Sequence, residues 1–195
     1  MQHEIGVMTL FRDKYRSDSR RLREWDYRTS GKYFITICAG GMNQLFGRVE
    51  RGAMVRNVVG EIAQQMWIQI PDHHKDVSLD EFVVMPNHVH GIIVLSGQHG
   101  SDVARNVATK NQSNSMSRIS PKPGSLGAIV RSYKSAVSNR CHVSGYPDFI
   151  WQPRFHDHII RNNQELNTIR QYILNNPTNW EHEKNSPAEF AAWMD

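Results

Sequence analysis

Val77-Ser-Leu-Asp-Glu-Phe-Val-Val-Met-Pro-Asn-His-Val-His-Gly-Ile-Ile-Val-Leu95 is the stretch on which the reading of this chain turns. Its two flanks, Val77–Val84 and His88–Leu95, are rich in β-branched and aliphatic residues, as strands are. Met85-Pro86-Asn87 between them is turn chemistry, so the flanks are expected to pair as a hairpin. Alternate residues of a strand face the same side. His88 and His90 therefore project together, and Val89 faces the opposite layer. Two imidazoles at i and i+2 in an apolar strand read as a pair of metal ligands or as two half-exposed histidines on an open sheet face. The spacing leaves both readings open, and a metal site would need a third group from elsewhere.

Working outward, Tyr33-Phe-Ile-Thr-Ile-Cys38 is β-branched and aromatic, bounded by Gly31 and Gly40-Gly41, and predicts a strand. From Ala53 to about Ile70, Met54, Val55, Val58, Val59, Ile62, Met66 and Ile70 fall at helical spacing and predict one amphipathic helix. Residues 96–125 are rich in Ser, Asn, Gly, Lys and Pro without a period and are expected to be a long flexible loop. Leu126 to about Ser138 predicts a basic amphipathic helix. Phe149 to Ile160 reads as a short strand or an irregular stretch. Asn163 is expected to cap a helix through Glu165, Leu166, Ile169 and Ile173 that Asn176-Pro177 ends. The order strand–helix–strand–strand–helix–strand–helix implies an α+β fold, an antiparallel sheet with packed helices. No internal repeat is visible.

The whole chain of 195 residues has 39% hydrophobic and 22% charged residues, enough apolar matter for one real core. No apolar run approaches the roughly 20 residues that span a bilayer, so no membrane is expected. The first eleven residues include Glu4 and lack a basic segment before an apolar one, so secretion is not expected. Two cysteines, Cys38 and Cys141, cannot build a disulfide framework and suit a reducing cytosol. The formal charge is only +4. Between Gly97 and Arg140, however, Arg105, Lys110, Arg118, Lys122, Arg131, Lys134 and Arg140 face only Asp102, a local net of +6. A second basic cluster, Arg12 to Lys32, is interleaved with Tyr15, Trp25 and Tyr27 and diluted by acids. Such segments suit a nucleic-acid backbone and unpaired bases, and they equally suit a solvated basic arm.

Other candidates for chemistry are fewer. Tyr172 and Asn176, at i and i+4, share an edge of the last predicted helix. Tyr172 reads as a nucleophile with Asn176 as oxygen ligand or orienting amide, or the two read as a core-edge tyrosine and a helix terminator. Phe155-His-Asp-His158 offers a second, lesser histidine pair, with Asp157 and Arg154 at hand for structural hydrogen bonds. His73-His74 read as solvated turn residues and Cys38 as a small core hydrophobe. Phosphate-cradling loops, dinucleotide fingerprints, nucleophile elbows and Cys-x-x-Cys pairs are absent from the sequence.

Taken together, the motifs resemble the REP-associated tyrosine transposases, relatives of the small single-tyrosine HUH transposases. The resemblance runs from about Arg20 to Trp180. It includes Trp25-Asp26-Tyr27, Gly31-Lys-Tyr-Phe-Ile-Thr-Ile-Cys38, Leu45-Phe46-Gly47 and Leu79 to Ile93 with its Met-Pro-Asn-His-Val-His core. It closes with Trp151-Gln152, Arg154-Phe155, Asp157-His-Ile-Ile-Arg161 and Gln171-Tyr-Ile-Leu-Asn-Asn-Pro177. Order and spacing together make it specific, and residues 97–123 contribute nothing to it.

The resemblance implies a ferredoxin-like HUH nuclease core over residues 31–180, with a basic N-terminal arm (1–30), the loop 96–125 and a C-terminal tail (181–195). At 195 residues the chain is expected to leave no room for a separate regulatory domain. The resemblance implies that His88 and His90 hold a divalent ion, Mg²⁺ or Mn²⁺, that Tyr172 is the nucleophile, and that Asn176 helps complete the metal site. The implied activity is cleavage and rejoining of single-stranded DNA at or near palindromic hairpin repeats, through a 5′-phosphotyrosine. Arg21, Arg23, Arg131, Lys134, Arg154 and Arg161 are then expected on the DNA backbone, with Trp25 and Tyr27, and also Trp151, as stacking surfaces. The expected setting is the cytoplasm, at the nucleoid, as a monomer or homodimer. The competing reading is a ferredoxin-like nucleic-acid-binding module without chemistry, which makes the presence of His88, His90, Tyr172 and Asn176 accidental.

Overall fold

The computed structural model describes residues 26–97 and 121–183. Arg21, Arg23 and Trp25, most of the basic arm, the body of the 96–125 loop and the residues after 183 lie outside them. Strand β1 is Gly31–Cys38, followed by a 3-10 turn at Gly40–Met42. A small hairpin, β2 (Gly47–Glu50) and β3 (Ala53–Arg56), leads into α1 (Val58–Ile68) and the short α2 (Ile70–His73). Then come β4 (Val77–Val84), β5 (His88–Leu95), α3 (Leu126–Val143), β6 (His156–Ile160) and α4 (Asn163–Glu183).

Four strands form one antiparallel sheet in the order β4-β5-β1-β6. The chain thus builds two interleaved β-α-β units, β1–α1–β4 and β5–α3–β6, the ferredoxin-like arrangement of an α+β fold. The β4–β5 hairpin forms as its turn chemistry demands, with Val84 opposite Val89. A bulge between Leu79 and Phe82 breaks the register in the middle of β4.

Alternation along β1 and β5 sorts the side chains into two layers. Tyr33, Ile35, Ile37, Val89 and Ile93 pack with α1 and α3, while Phe34 and Ile92 pack with Ile160 and with Leu166, Ile169 and Ile173 of α4. Among the described residues the first layer buries twenty-two side chains and the second six. At about 1.5–3 kcal/mol for a fully buried large apolar side chain, the α1/α3 face carries most of the stability. That leaves the α4 face able to hold polar groups. The Tyr133 hydroxyl donates to the Ala63 carbonyl at 3.1 Å and ties α3 to α1. Gly91 is required on the first face, because a Cβ there would stand 2.2 Å from Cζ2 of Trp67.

Four expectations are corrected. Ala53–Arg56 is a strand, not the start of a helix, and its partner β2 has no counterpart among the predicted elements. Arg51 and Gly52, both at positive φ, make the tight turn between them. Asn57 then starts α1, its side-chain oxygen accepting the Gly60 N–H at 2.9 Å. Helix α3 runs on to Val143 instead of ending near Ser138. Helix α4 does not stop at Asn176-Pro177 but continues to Glu183 with Pro177 inside it. Its cap is Asn162, whose side chain accepts the Glu165 N–H at 2.8 Å, and Asn163 is its first helical residue.

Candidate active site

The site lies between the sheet and α4. His88 and His90 project from β5 into this layer, with ring centroids 4.2 Å apart. His88 is 8% exposed, His90 1% and Asn176 0%. Phe34, next door on β1, stacks on the His90 ring at 5.3 Å and meets Tyr172 edge-on at 6.1 Å. The Tyr172 hydroxyl stands 3.4 Å from His90 Nε2. Trp180, two turns farther along α4, lies against His88 at 6.0 Å between ring centroids. Asn176 sits one turn from Tyr172 and one turn from Trp180 on the same buried edge. Helix spacing therefore sets its amide over the histidine pair.

Continuation of α4 through Pro177 makes this possible, since a helix ending there would not carry Trp180 to His88. The helix is seated by charge as well as by apolar contact. Arg170 reaches the Asp80 carboxylate in a two-pronged ion pair at 2.8 and 2.7 Å, from α4 to the bulge of β4. Its hydrogen bonds hold the Asp80 carboxyl below the ordinary value of 3.8. His158 Nε2 lies 2.6 Å from Oε1 of Glu165, whose other oxygen accepts the Arg161 N–H at 2.7 Å. The second histidine pair is thus split: His158 joins β6 to α4, and His156 is exposed.

Burial pushes the His88 pKa down to about 4, and burial followed by the neighbouring His88 takes His90 well below its usual 6.5. Both imidazoles are neutral at pH 7, the form that offers a lone pair to a cation. His90 Nδ1 is 2.9 Å from Thr36 Oγ1, and His88 Nδ1 is 2.7 Å from Asn87 Oδ1. His88 Nε2 and both polar atoms of the Asn176 amide are buried without a hydrogen-bond partner. Native interiors rarely leave such atoms unmatched. Two imidazoles and one carboxamide therefore fit a divalent ion. Among the described residues no group of three or more His, Cys, Asp and Glu side chains converges as a metal site.

Of the four residues expected at the site, His88, His90 and Tyr172 meet one another, and Asn176 is buried one helical turn from Tyr172. Sequence reasoning misses Thr36, Asn87, Phe34 and Trp180. Thr36 has a signal in its register, directly opposite His90. Asn87 reads in the sequence only as a turn residue.

Arg131, Arg154 and Arg161 are exposed. Lys134 donates to the carbonyls of Gln152 at 2.6 Å and Arg154 at 3.0 Å, so its ammonium orders the main chain that carries Arg154. Tyr27 packs beside Tyr33. Trp151 is half-buried in an aromatic cluster with Phe46, Tyr133 and Phe149, and its indole N–H donates to the Lys134 carbonyl. Cys38 is half-buried at the end of β1, with its thiol pushed up to about 11 by burial. His73 is exposed and His74 half-buried. No helix among the described residues is long and apolar enough to cross a membrane.

No protein-family model matches the chain. A Haemophilus influenzae protein known only as uncharacterised is 35% identical over 169 residues, spanning 85% of this chain and 91% of that relative. Among solved structures, a REP-associated tyrosine transposase bound to a REP hairpin superposes with a TM-score of 0.52. The match is 21% identical and covers 84% of this chain and 73% of that one, a likeness of fold.

Proposed function

The chain belongs to one family with the Haemophilus influenzae protein and has the fold of a REP-associated tyrosine transposase, and from that premise we propose that it is a transposase-type enzyme that nicks and rejoins single-stranded DNA. The observation that carries this reading is the Tyr172 hydroxyl, 3.4 Å from His90 Nε2, over a buried histidine pair with the unmatched Asn176 amide one turn away. A binding module without chemistry has no use for that convergence.

A phosphodiester resists attack because its negative charge repels nucleophiles and its alkoxide leaves poorly. A divalent cation held by His88, His90 and Asn176 would polarise the scissile phosphate and stabilise the departing 3′ oxygen. Imidazole ligands favour Mn²⁺ over Mg²⁺, which prefers oxygen. Tyr172 supplies the nucleophile. Its phenolic oxygen forms the bond to phosphorus, the bond from phosphorus to the 3′ oxygen breaks, the phenol proton leaves to solvent and the 3′ oxygen takes up a proton from solvent. The products are a 5′-phosphotyrosine and a free 3′-OH. Attack of a 3′-OH on that linkage reverses the step, so rejoining needs no ATP. Phe34 holds the rings of His90 and Tyr172 in place, and Arg170 seats the helix that carries the tyrosine. Exposed Arg131, Arg154 and Arg161 are assigned to the DNA backbone, and a hairpin-forming palindromic repeat is the expected substrate.

The test is incubation with single-stranded hairpin oligonucleotides from around the chain's own gene, with Mn²⁺ or EDTA, scored for a covalent protein–DNA band. The band is expected with Mn²⁺ only. Tyr172→Phe should bind the DNA and form no adduct, and His88→Ala should lose the metal-dependent cleavage. An adduct at full yield in Tyr172→Phe overturns the assignment.

A further inference from the structure

Asn87 is the last residue of the hairpin turn, directly before the first histidine, and nothing in the proposed chemistry uses it. Its amide nitrogen donates to the Met42 carbonyl at 3.3 Å, and its amide oxygen lies 2.7 Å from His88 Nδ1. The Met42 contact decides which way round the amide sits. The opposite orientation would set the amide oxygen against the Met42 carbonyl oxygen, two acceptors with no proton between them. With Oδ1 toward His88, the imidazole Nδ1 must be the protonated nitrogen. A neutral imidazole has one N–H and one lone pair, so Nε2 is left bare. That bare atom is the buried Nε2 of His88 that has no partner.

Both sides of this relay are rigid. The turn is pinned through main-chain bonds from Ala39 N to Asn87 O at 2.8 Å, Phe46 N to Pro86 O at 3.0 Å and Met85 N to His88 O at 2.8 Å. The Met42 carbonyl is presented by a 3-10 turn in which Met42 itself has φ +58, an uncommon conformation for a side chain of its size. The turn is anchored by Gly40 N donating to the Ile150 carbonyl at 2.8 Å, and a Cβ on Gly40 would meet Ile150 Cγ1 at 2.4 Å.

We propose that Asn87 is a positioning residue: oriented by the Met42 carbonyl, it fixes His88 in the Nδ1–H tautomer and so presents a lone pair on Nε2 to the cation. The use of that lone pair rests on the reading of His88 as a metal ligand, whereas the tautomer does not. The relay explains why the turn preceding the histidine pair carries an amide.

Two measurements test it. Long-range ¹H–¹⁵N NMR of the metal-free protein reads which His88 nitrogen bears the proton, and calorimetric titration with Mn²⁺ reads affinity. Wild type should show Nδ1–H. Asn87→Ala should lose that preference and weaken Mn²⁺ binding by about 10–100-fold, as removal of a ligand's hydrogen-bond partner does. Asn87→Asp keeps an acceptor beside Nδ1 but sets a second oxygen against the Met42 carbonyl, so it should hold the tautomer less firmly than wild type and more firmly than Asn87→Ala. Nε2–H in the wild type overturns the proposal whether or not Asn87→Ala folds. So does an Asn87→Ala protein with unchanged tautomer and affinity. If the tautomer follows Asn87 as stated but the wild type takes up no Mn²⁺, the tautomer assignment stands and the metal-dependent chemistry falls.

Discussion

Thr36 shows how a residue without chemistry of its own enters a site through register. It sits opposite His90 in the β1–β5 pairing, and its hydroxyl meets Nδ1 of that ring at 2.9 Å where both are buried. Thr36→Val keeps the shape and β-propensity but deletes the polar contact. A loss of about 1–3 kcal/mol is expected from disturbing a buried hydrogen-bonded group, measured by urea unfolding. Mn²⁺ affinity should fall by about 10–100-fold in the same variant. Gly91 answers to the other face of the same strand. Gly91→Ala would drive a methyl group into Trp67 and is expected to destabilise by about 1–3 kcal/mol, again by urea unfolding. Unchanged stability there would mean that Trp67 gives way freely. His88, His90 and Tyr172 are legible in the sequence because of their types and spacing. Thr36 and Trp180 are not, since a threonine in a strand and a tryptophan near a helix end have ordinary structural uses.

His158 with Glu165 and Asp80 with Arg170 are polar links between the helix that carries Tyr172 and the sheet. The second is sensitive to acid in a predictable direction. The Arg170 hydrogen bonds lower the Asp80 pKa in the folded chain below the ordinary 3.8. The pair therefore contributes stability above that value, and the contribution disappears as pH falls through the lowered folded pKa. Wild type should exceed Asp80→Asn in urea midpoint at pH 7, and the gap should close below pH 3.8. A gap that persists in acid would assign the effect to something other than ionisation. Helix α4 is also where local rules mislead. Asn-Pro is a sound stop signal, because proline lacks the N–H that the carbonyl four residues back would accept. Here the packing of Ile173, Asn176 and Trp180 against the sheet outweighs that loss. Likewise Met54 and Val55 keep helical spacing with Val58, Val59 and Ile62, yet the Arg51-Gly52 turn folds them onto β2. Short strands of four residues carry too little period to be told from a helix start.

At the scale of the molecule, the β-α-β interleaving divides labour between the faces of one sheet. The α1/α3 face is apolar and stabilises the fold, and the α4 face concentrates the polar site. The proposed site draws its histidine pair and its tyrosine from one chain. Mixing Tyr172→Phe with His88→Ala is therefore expected to restore no covalent adduct, and the adduct fraction formed by wild type should not depend on protein concentration. Recovery of activity in the mixture would mean that the tyrosine serves a neighbouring subunit. The chain by itself determined its class, α+β, through the Val77–Leu95 hairpin and the helical periods around it. It also determined that His88 and His90 share one face of the sheet, because strand alternation admits no other arrangement. Only the tertiary structure decided that α4 runs past Pro177, that Asn176 is wholly buried, and that Thr36 and Asn87 meet the two rings. Those are contacts between residues far apart in sequence or hidden within a turn, and local propensity contains no term for a partner that folding has yet to bring near.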